Sequence, residues 1–314
     1  MAGMDCTLTA PGPQPPADAP LHQSPAYGQA MTRLGAKVQV LRITQNGNCL
    51  AHAQILSRHI MGLPLHWVPR GPVWSPGLST EDQTALLSRL PLGSGLRGLW
   101  LATPDSPEAT APYAALGYRP LLTPQHVAEL PLDPDPDIMR ARQHGKWRNR
   151  LRRAEDADLT VSHRLFDPAR DAPLLDLERA QRKYRRYTDV IPTFVLHWSQ
   201  AAPKATRVFQ IRDGTRPLAV MIFLLHGHRA TYQIGWRDRD CAPASAHHLL
   251  LWNAAKYLAR KGFQQIDLGT LDTETTPGLA RFKLGSGACA RPLGPSLLRL
   301  PCGIIPLAIR RPAV

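Results

Sequence analysis

The chain is 314 residues long, 43% hydrophobic, and carries a formal net charge of +14. Its length and apolar content suit one large or two medium domains with sizeable cores, and no run of about 18 apolar residues offers a membrane span. Five scattered cysteines without a C-x-x-C pair exclude metal-type spacing and fit reduced thiols in the cytoplasm, while the charge points to phosphate-rich partners: RNA, nucleotide-linked substrates or an anionic membrane surface.

Residues 1–28 are Pro- and Ala-rich and lack the basic and apolar regions of a secretory signal, so they read as a disordered tail. A first unit, 29–135, opens with the strand "KVQVLRIT", a turn at Asn46-Gly47, a second strand "CLAHAQILSRH" and a third in "PLHWVPRGPVW". The helix "STEDQTALLSRL" follows, with Ser79 or Thr80 as its N-cap and acids in its first turn. Then come the strand "GLWLATP" and a short helix in "SPEATAPYAALGYRP" that Gly117 ends.

A basic helical connection spans 136–190. In "HGKWRNRLRRAE", residues 144–155, five cations fall between Lys146 and Arg153. Wound at about 100° per residue, Arg142, Lys146, Arg150 and Arg153 form one stripe, with Trp147, Leu151 and Ala154 roughly opposite. The stripe is either a solvated face or a grip for an anion. A second cationic cluster, "RAQRKYRRYTD", carries two tyrosines and is expected to pack against the first; aromatics among cations suit nucleic acid.

The second unit, 191–314, echoes the first. "ATRVFQIR", "PLAVMIFLLHG" and "RATYQIGWRD" form a meander, followed by the helix "SAHHLLLWNAAKYLARKG", the strand "FQQIDLGT" and the helix "TPGLARFKLGSG". Gly262 and Gly285 fit as the residues that end these two helices. Tyr232 and Trp236 sit two alternations apart on the third strand and are expected to share one face. The tail "LPCGIIPLAIRRPAV" reads as a short docked strand or a membrane-surface contact.

These pieces resemble a known family. Each half is similar to the GNAT acyltransferase fold, and the tandem resembles the FemAB peptidoglycan aminoacyltransferases and the related BioF2-like acyltransferase domains. The resemblance rests on "VPRGPVW", "KWRNRLRRAEDADLTV", "ATYQIGW", "QQIDLGT" and "ARFKLGSG", in that order across roughly residues 30–295. It departs at Thr270 and at Ser286-Gly287, where the family has other residues. The implied fold is α/β (α+β): two tandem GNAT-like domains, each a mixed, mostly antiparallel sheet flanked by helices.

The implied reaction transfers an acyl or aminoacyl group to an amine, with aminoacyl-tRNA as donor and a peptidoglycan precursor as acceptor. It needs positioning and oxyanion stabilisation, with no cofactor and no metal. Lys283, beside Phe282 in the segment that resembles the family's donor site, is expected to meet donor phosphate or the oxyanion. Asp267, ending a central strand, would orient the amine or take its proton. Arg70 resembles a family position near the acceptor site, or else stabilises a turn. Tyr232 and Trp236 would line the acceptor channel or pack in the core. The stripe of Arg142, Lys146, Arg150 and Arg153 would guide a phosphate-bearing donor. Two rival readings are an acyl-CoA-dependent GNAT N-acyltransferase and a non-catalytic RNA-binding protein on a degenerate acyltransferase scaffold. The first lacks a glycine-rich pyrophosphate turn in "WRDRDCAPASAHHL".

Overall fold

The computed structural model describes residues 4–12, 15–90, 95–157, 159–185, 192–238 and 245–301. Cys241, Cys302, most of the turn at 238–245, the end of the second cationic cluster (186–191) and the tail 302–314 lie outside the described residues.

Two mixed sheets carry the molecule. The first begins with β1 (Met4–Thr9), passes α1 (Pro25–Arg33), and continues into the meander β2 (Lys37–Gln45), β3 (Asn48–Ile60) and β4 (Leu63–Pro69). The short β5 (Val73–Trp74) pairs with β3. Helix α2 (Thr80–Leu87) starts at a capping box in which Ser79 and Asp82 satisfy each other's amides. It returns the chain to β6 (Leu99–Thr103), parallel to β4. After α3 (Ala111–Ala115) comes β7 (Arg119–Leu122).

The chain then crosses to the second sheet. β8 (His126–Pro131) enters it, followed by α4 (Pro136–Arg142), α5 (Gly145–Glu155), β9 (Val161–Leu165), α6 (Pro168–Arg185) and α7 (Thr193–Ala201). The second meander is β10 (Thr206–Asp213), β11 (Arg216–His226) and β12 (Arg229–Arg237). Helix α8 (Ala246–Arg260) leads to β13 (Gln265–Leu271), parallel to β12, and α9 (Pro277–Gly285) leads to β14 (Cys289–Pro292). The last strand, β15 (Ser296–Arg299), goes back to the first sheet.

The two sheets have the same plan. The first runs β1-β2-β3-β4-β6-β15-β7 and the second β9-β10-β11-β12-β13-β8-β14. Each half therefore contributes one strand to the other: β15 inserts between β6 and β7, and β8 between β13 and β14. The expected boundaries 1–28, 29–135, 136–190 and 191–314 do not coincide with the sheets. Residues 4–9 form a paired strand where a disordered tail is expected, because Met4, Cys6 and Leu8 alternate with polar residues and add to β2. The basic connection contains β9, a strand of the second sheet.

Helix α5 buries Trp147, Leu151 and Ala154, the face opposite the cations. They join the core on one side of the second sheet, with α8. Leu174 and Leu175 of α6 instead join Phe194 and Trp198 of α7 and Tyr27 and Ala30 of α1 in the core on the other side. Among the described residues, the two basic segments thus lie on opposite faces of the sheet and are not packed as a pair. That second core takes residues from both halves and is the apolar part of their interface.

Gly285 is the last residue of α9, and the positive φ that ends the helix falls on Gly287 (+97°). Gly285 has another role. A Cβ there would stand 2.8 Å from Trp147 Cδ1, so its absence lets α9 lie on α5. Alanine ordinarily favours a helix over glycine, yet Gly285→Ala should destabilise the fold by about 1–3 kcal/mol through overpacking. Urea unfolding of the variant checks this.

Candidate functional site

The site grows from the end of β4. Pro69 accepts a hydrogen bond from the buried Gln23 side chain (2.7 Å), and Tyr113 Oη donates to the Gly71 carbonyl (2.9 Å). Between these anchors Arg70 has φ +47°, a conformation a non-glycine residue adopts only when its surroundings hold it there. The turn aims the Arg70 side chain out of the first sheet and into the second.

It meets three carboxylates, one from its own half and two from the second sheet. Nη1 donates to Asp267 Oδ2 on β13 (2.6 Å), Nε donates to Asp105 Oδ1 after β6 (2.5 Å), and Nη2 stands 3.7 Å from Glu129 Oε1 on β8. Arg291 on β14 pairs with Glu129 (2.8 Å) and Asp105 (3.3 Å), and Arg229 on β12 lies 3.7 Å from Glu129. Three guanidinium groups face three carboxylates, so the cluster is neutral as a whole. Burial opposes the Arg70 charge, but Asp267 and Asp105 outweigh it and raise its pKa. Burial likewise pushes the Asp267 carboxyl up, and the charge and hydrogen bond of Arg70, with the Gly269 amide (2.8 Å), bring it below its ordinary value.

A cavity of about 350 Å³ opens beside this cluster, lined by Arg70, Asp105, Trp74, Tyr113 and the segment around Pro20. On the other side of Asp267 the second sheet opens. β12 and β13 pair only from Arg229 to Thr231 against Gln265 to Asp267. β12 runs on to Arg237 and β13 to Leu271 without pairing to each other, leaving a mouth between two parallel strands.

Lys283 stands at that mouth. It is buried, on α9, and its Nζ donates to the Thr270 carbonyl (2.7 Å) next to Gly269. It is not the exposed surface lysine that its residue type suggests. Phe282 packs against Trp147 and His248. His247 hydrogen-bonds the Trp236 carbonyl (3.0 Å) at the start of α8.

Two expectations need correction. Tyr232 and Trp236 do not share a face. A bulge on β12 pairs Tyr232 with Phe223 and Ile234 with Ile222, and the extra residue turns the later side chains over. Tyr232 packs on the α8 side, with Phe282, and Trp236 on the α6 side. The cationic stripe is not one helix either. Arg142 ends α4, Gln143 and His144 break the helix, and Arg142 reaches towards Asp133 (3.7 Å). Lys146, Arg150 and Arg153 are exposed on α5, whose neighbours are α8 and α9. Arg150 is close enough for its charge to act on His248.

The structure therefore brings Asp267, Phe282 and Lys283 around one mouth, and it ties Arg70 to Asp267 at its base. Sequence reasoning missed Asp105, Glu129 and Arg291. Two signals pointed to the carboxylates: Asp105 stands two residues beyond the end of its strand, and Glu129 is the lone acid in the apolar strand "HVAELP", whereas Asp267, expected at the end of its strand, lies third in a β13 of seven residues.

Residues 141–284 match the family model described as "Acetyltransferase (GNAT) domain". No curated protein sequence matches the chain. Among solved structures, the crystal structure of FemX is similar with a TM-score of 0.77 at 13% identity, over 90% of this chain and 94% of that one. The C-terminal DUF2156 domain of a putative lysylphosphatidylglycerol synthetase from Agrobacterium fabrum gives 0.56 at 15%, over 88% and 87%. A tandem GNAT protein from the clavulanic acid biosynthesis pathway gives 0.53 at 13%, over 95% and 98%. The shared property is the fold: two GNAT-like units in tandem.

Four inward-facing histidines set an acid limit on this architecture. Burial holds His22 down to about 4, with Arg70 adding and Asp267 opposing. It holds His226 down to about 3, with Asp267 opposing and Arg229 and Arg70 adding. His52 and His248 are likewise lowered to about 4, mainly by burial. An unfolded histidine titrates near 6.5. Below that pH the unfolded chain binds protons that the folded chain refuses, so the stabilisation is complete above about 6.5 and falls as pH drops towards 4. Urea midpoints should hold from pH 7.5 to about 6.5 and then fall steadily to pH 4.5, and His226→Gln should remove about one proton from that slope.

Proposed function

We propose that this chain is a FemAB-like acyltransferase that forms an amide bond on an amine acceptor. In this reading aminoacyl-tRNA is the donor, the acceptor amine belongs to a peptidoglycan precursor, and the chain works in the cytoplasm. The observation that carries the proposal is Lys283, a buried ammonium at the mouth between two diverging parallel strands, on the segment that resembles the family's donor site. The matched GNAT domain covers the same region.

The chemistry is simple. The neutral amine attacks the acyl carbonyl carbon, the C–N bond forms, and the C–O bond to the tRNA ribose breaks. The amine gives up a proton and the departing ribose oxygen gains one. Negative charge gathers on the carbonyl oxygen in between, and an ammonium with three donors held in a partly desolvated place is suited to stabilise it. Asp267 fits orientation better than proton abstraction, because Arg70 holds it as a weakly basic carboxylate. Arg70 in turn fits a positioning role, since Asp267 and Asp105 already neutralise its charge. Tyr232 and Phe282, on one face, line the way to Lys283; Trp236 contributes its backbone carbonyl and His247 contact.

Lys283→Met should lower turnover about 10²–10³-fold, as removal of one oxyanion donor typically does. Arginine should rescue it only in part, because a planar fork does not replace a compact ammonium. Transfer to amine acceptors, followed by mass spectrometry with charged tRNA and acyl-CoA offered separately, is the assay. Near-normal turnover in Lys283→Met removes this residue from the reaction, and product from acyl-CoA alone replaces the donor.

The exposed cations of α5 would guide the donor. Replacing Lys146, Arg150 and Arg153 with Gln, together with Arg142, should flatten the dependence of tRNA affinity on salt. Each phosphate left unneutralised lowers the slope of log K against log salt by about 0.7–0.9. An unchanged slope makes the helix a solvated face.

A further inference from the structure

The turn between β3 and β4 is at odds with the rest of the surface. Its central residues, Met61 and Gly62, have φ of +50° and +79°. The turn between β2 and β3 has the same pair of values, +50° and +79°, at Asn46 and Gly47. Two successive positive φ angles define the tight hairpin turn in which asparagine or glycine is preferred at the first position. The β2–β3 turn follows that preference. The β3–β4 turn puts a methionine there, against its backbone preference, and leaves its side chain 97% exposed. Ile60 and Leu63, directly opposite each other on the two strands, are 40% and 45% exposed. Folding does not account for a fully exposed methionine set between two half-exposed apolar side chains at this tip.

The surroundings of the tip carry one sign of charge. Residues 19–80 contain no Asp or Glu. The register places Lys37 opposite Ser57, so the start of β2 lies at the same end of the sheet as Arg58, His59 and the tip. Lys37 and His59 are both near enough to His66 on β4 to act on it, and the Arg97 carbonyl shares a hydrogen bond with that ring (3.2 Å). Further along the same end, β15 finishes at Arg299 and β7 starts at Arg119. No acidic residue lies among the described residues of these strand ends.

We infer that the β3–β4 hairpin is a membrane-surface anchor that docks on a bilayer rich in anionic phospholipid. Ile60, Met61 and Leu63 enter the boundary between headgroups and acyl chains, and Lys37, Arg58, Arg97, Arg119 and Arg299 face the anionic headgroups. An apolar wedge ringed by cations matches the two forces that hold peripheral proteins on such surfaces. Arg70 is at the opposite end of β4. Seven residues at about 3.3 Å each put the tip roughly 20 Å from the Arg70 cluster, so docking leaves that site facing away from the lipid.

The test uses the full chain and vesicles of phosphatidylglycerol in phosphatidylcholine, against vesicles of phosphatidylcholine alone, with binding read by co-sedimentation. The wild-type chain should bind the anionic vesicles, and binding should weaken as added salt shortens the screening length from about 10 Å at 0.1 M towards 3 Å at 1 M. Met61→Asn with Leu63→Ser should lower the affinity at least about tenfold, the worth of burying one large apolar side chain. The melting temperature should stay the same or rise, since asparagine suits the turn. Absence of wild-type binding to anionic vesicles overturns the proposal, as does unchanged binding in the double variant. Loss of binding in a chain ending at Pro301, with the hairpin intact, assigns the anchor to residues 302–314 instead. A solution dimer that Met61→Asn converts to monomer, without vesicle binding, makes the tip a contact between copies.

Discussion

One buried side chain joins the two sheets. Arg70 leaves the end of β4 and ends on Asp267 of β13, 2.6 Å away, with Asp105 at 2.5 Å on its own side. Removing a guanidinium and its carboxylates from water costs several kcal/mol per ion, and the pairing does little more than offset this. A hydrophobic contact in the same place would hold the sheets together as well. What the ions add is direction. A guanidinium that must meet carboxylates from two sheets in fixed geometry permits one relative placement, and that placement sets the base of the mouth at Asp267. The unusual backbone of Arg70 belongs to the same arrangement: Gln23 and Tyr113 hold the turn so that the side chain points across the gap.

The exchanged strands enforce the placement over a longer range. β15 lies between β6 and β7, and β8 lies between β13 and β14, so neither sheet is complete without a strand from the other half. Each exchange also covers strands that would otherwise present unpaired backbone groups. Glu129 rides on the exchanged β8 and meets Arg291 of the adjacent β14, which continues the ion cluster into the second sheet. Sliding one half against the other would break ladder hydrogen bonds and buried ion pairs together.

Local pattern made much of this legible. The two meanders, Ser79 as an N-cap and the apolar face of α5 follow from alternation, helical period and capping chemistry, which are properties of short segments. What could not be read shares a cause: it depends on a partner distant in sequence or on one inserted residue. The exchange of β8 and β15 is one such feature, since nothing in "HVAELP" or "SLLR" names the sheet they join. The β12 bulge shifts Trp236 to the other face from Tyr232, and a strict alternation of two has no place for it. A single helical wheel runs through Gln143 and His144, where His144 N donates to the Gly285 carbonyl and the chain bends to meet α9. Lys283 is legible from its resemblance and its phenylalanine neighbour. Its burial comes from packing that the sequence of a nine-residue helix does not reveal.

The two halves share a plan yet differ at their parallel strand pairs. In the first sheet the parallel pair β4 and β6 is in register over five positions, Leu65 to Pro69 against Leu99 to Thr103, and stays closed to its end. In the second the corresponding pair, β12 and β13, is in register over three positions and then parts. Two irregularities flank the parting, the bulge at Ile222/Phe223 on one side and the shift between Asp267 and Thr270 on the other. Each bends its strand away from the shared ladder. Gly269, with φ +79°, lies inside the second shift beside Lys283 Nζ, which is 3.7 Å from where its Cβ would be. A side chain there would strain the backbone. The closed pair therefore ends in Arg70, which fixes the halves, and the open pair ends in a gap with a buried cation at its lip. One duplicated plan thus supplies a closed support and an open mouth, and the difference between them comes down to two irregular strand pairings and one glycine.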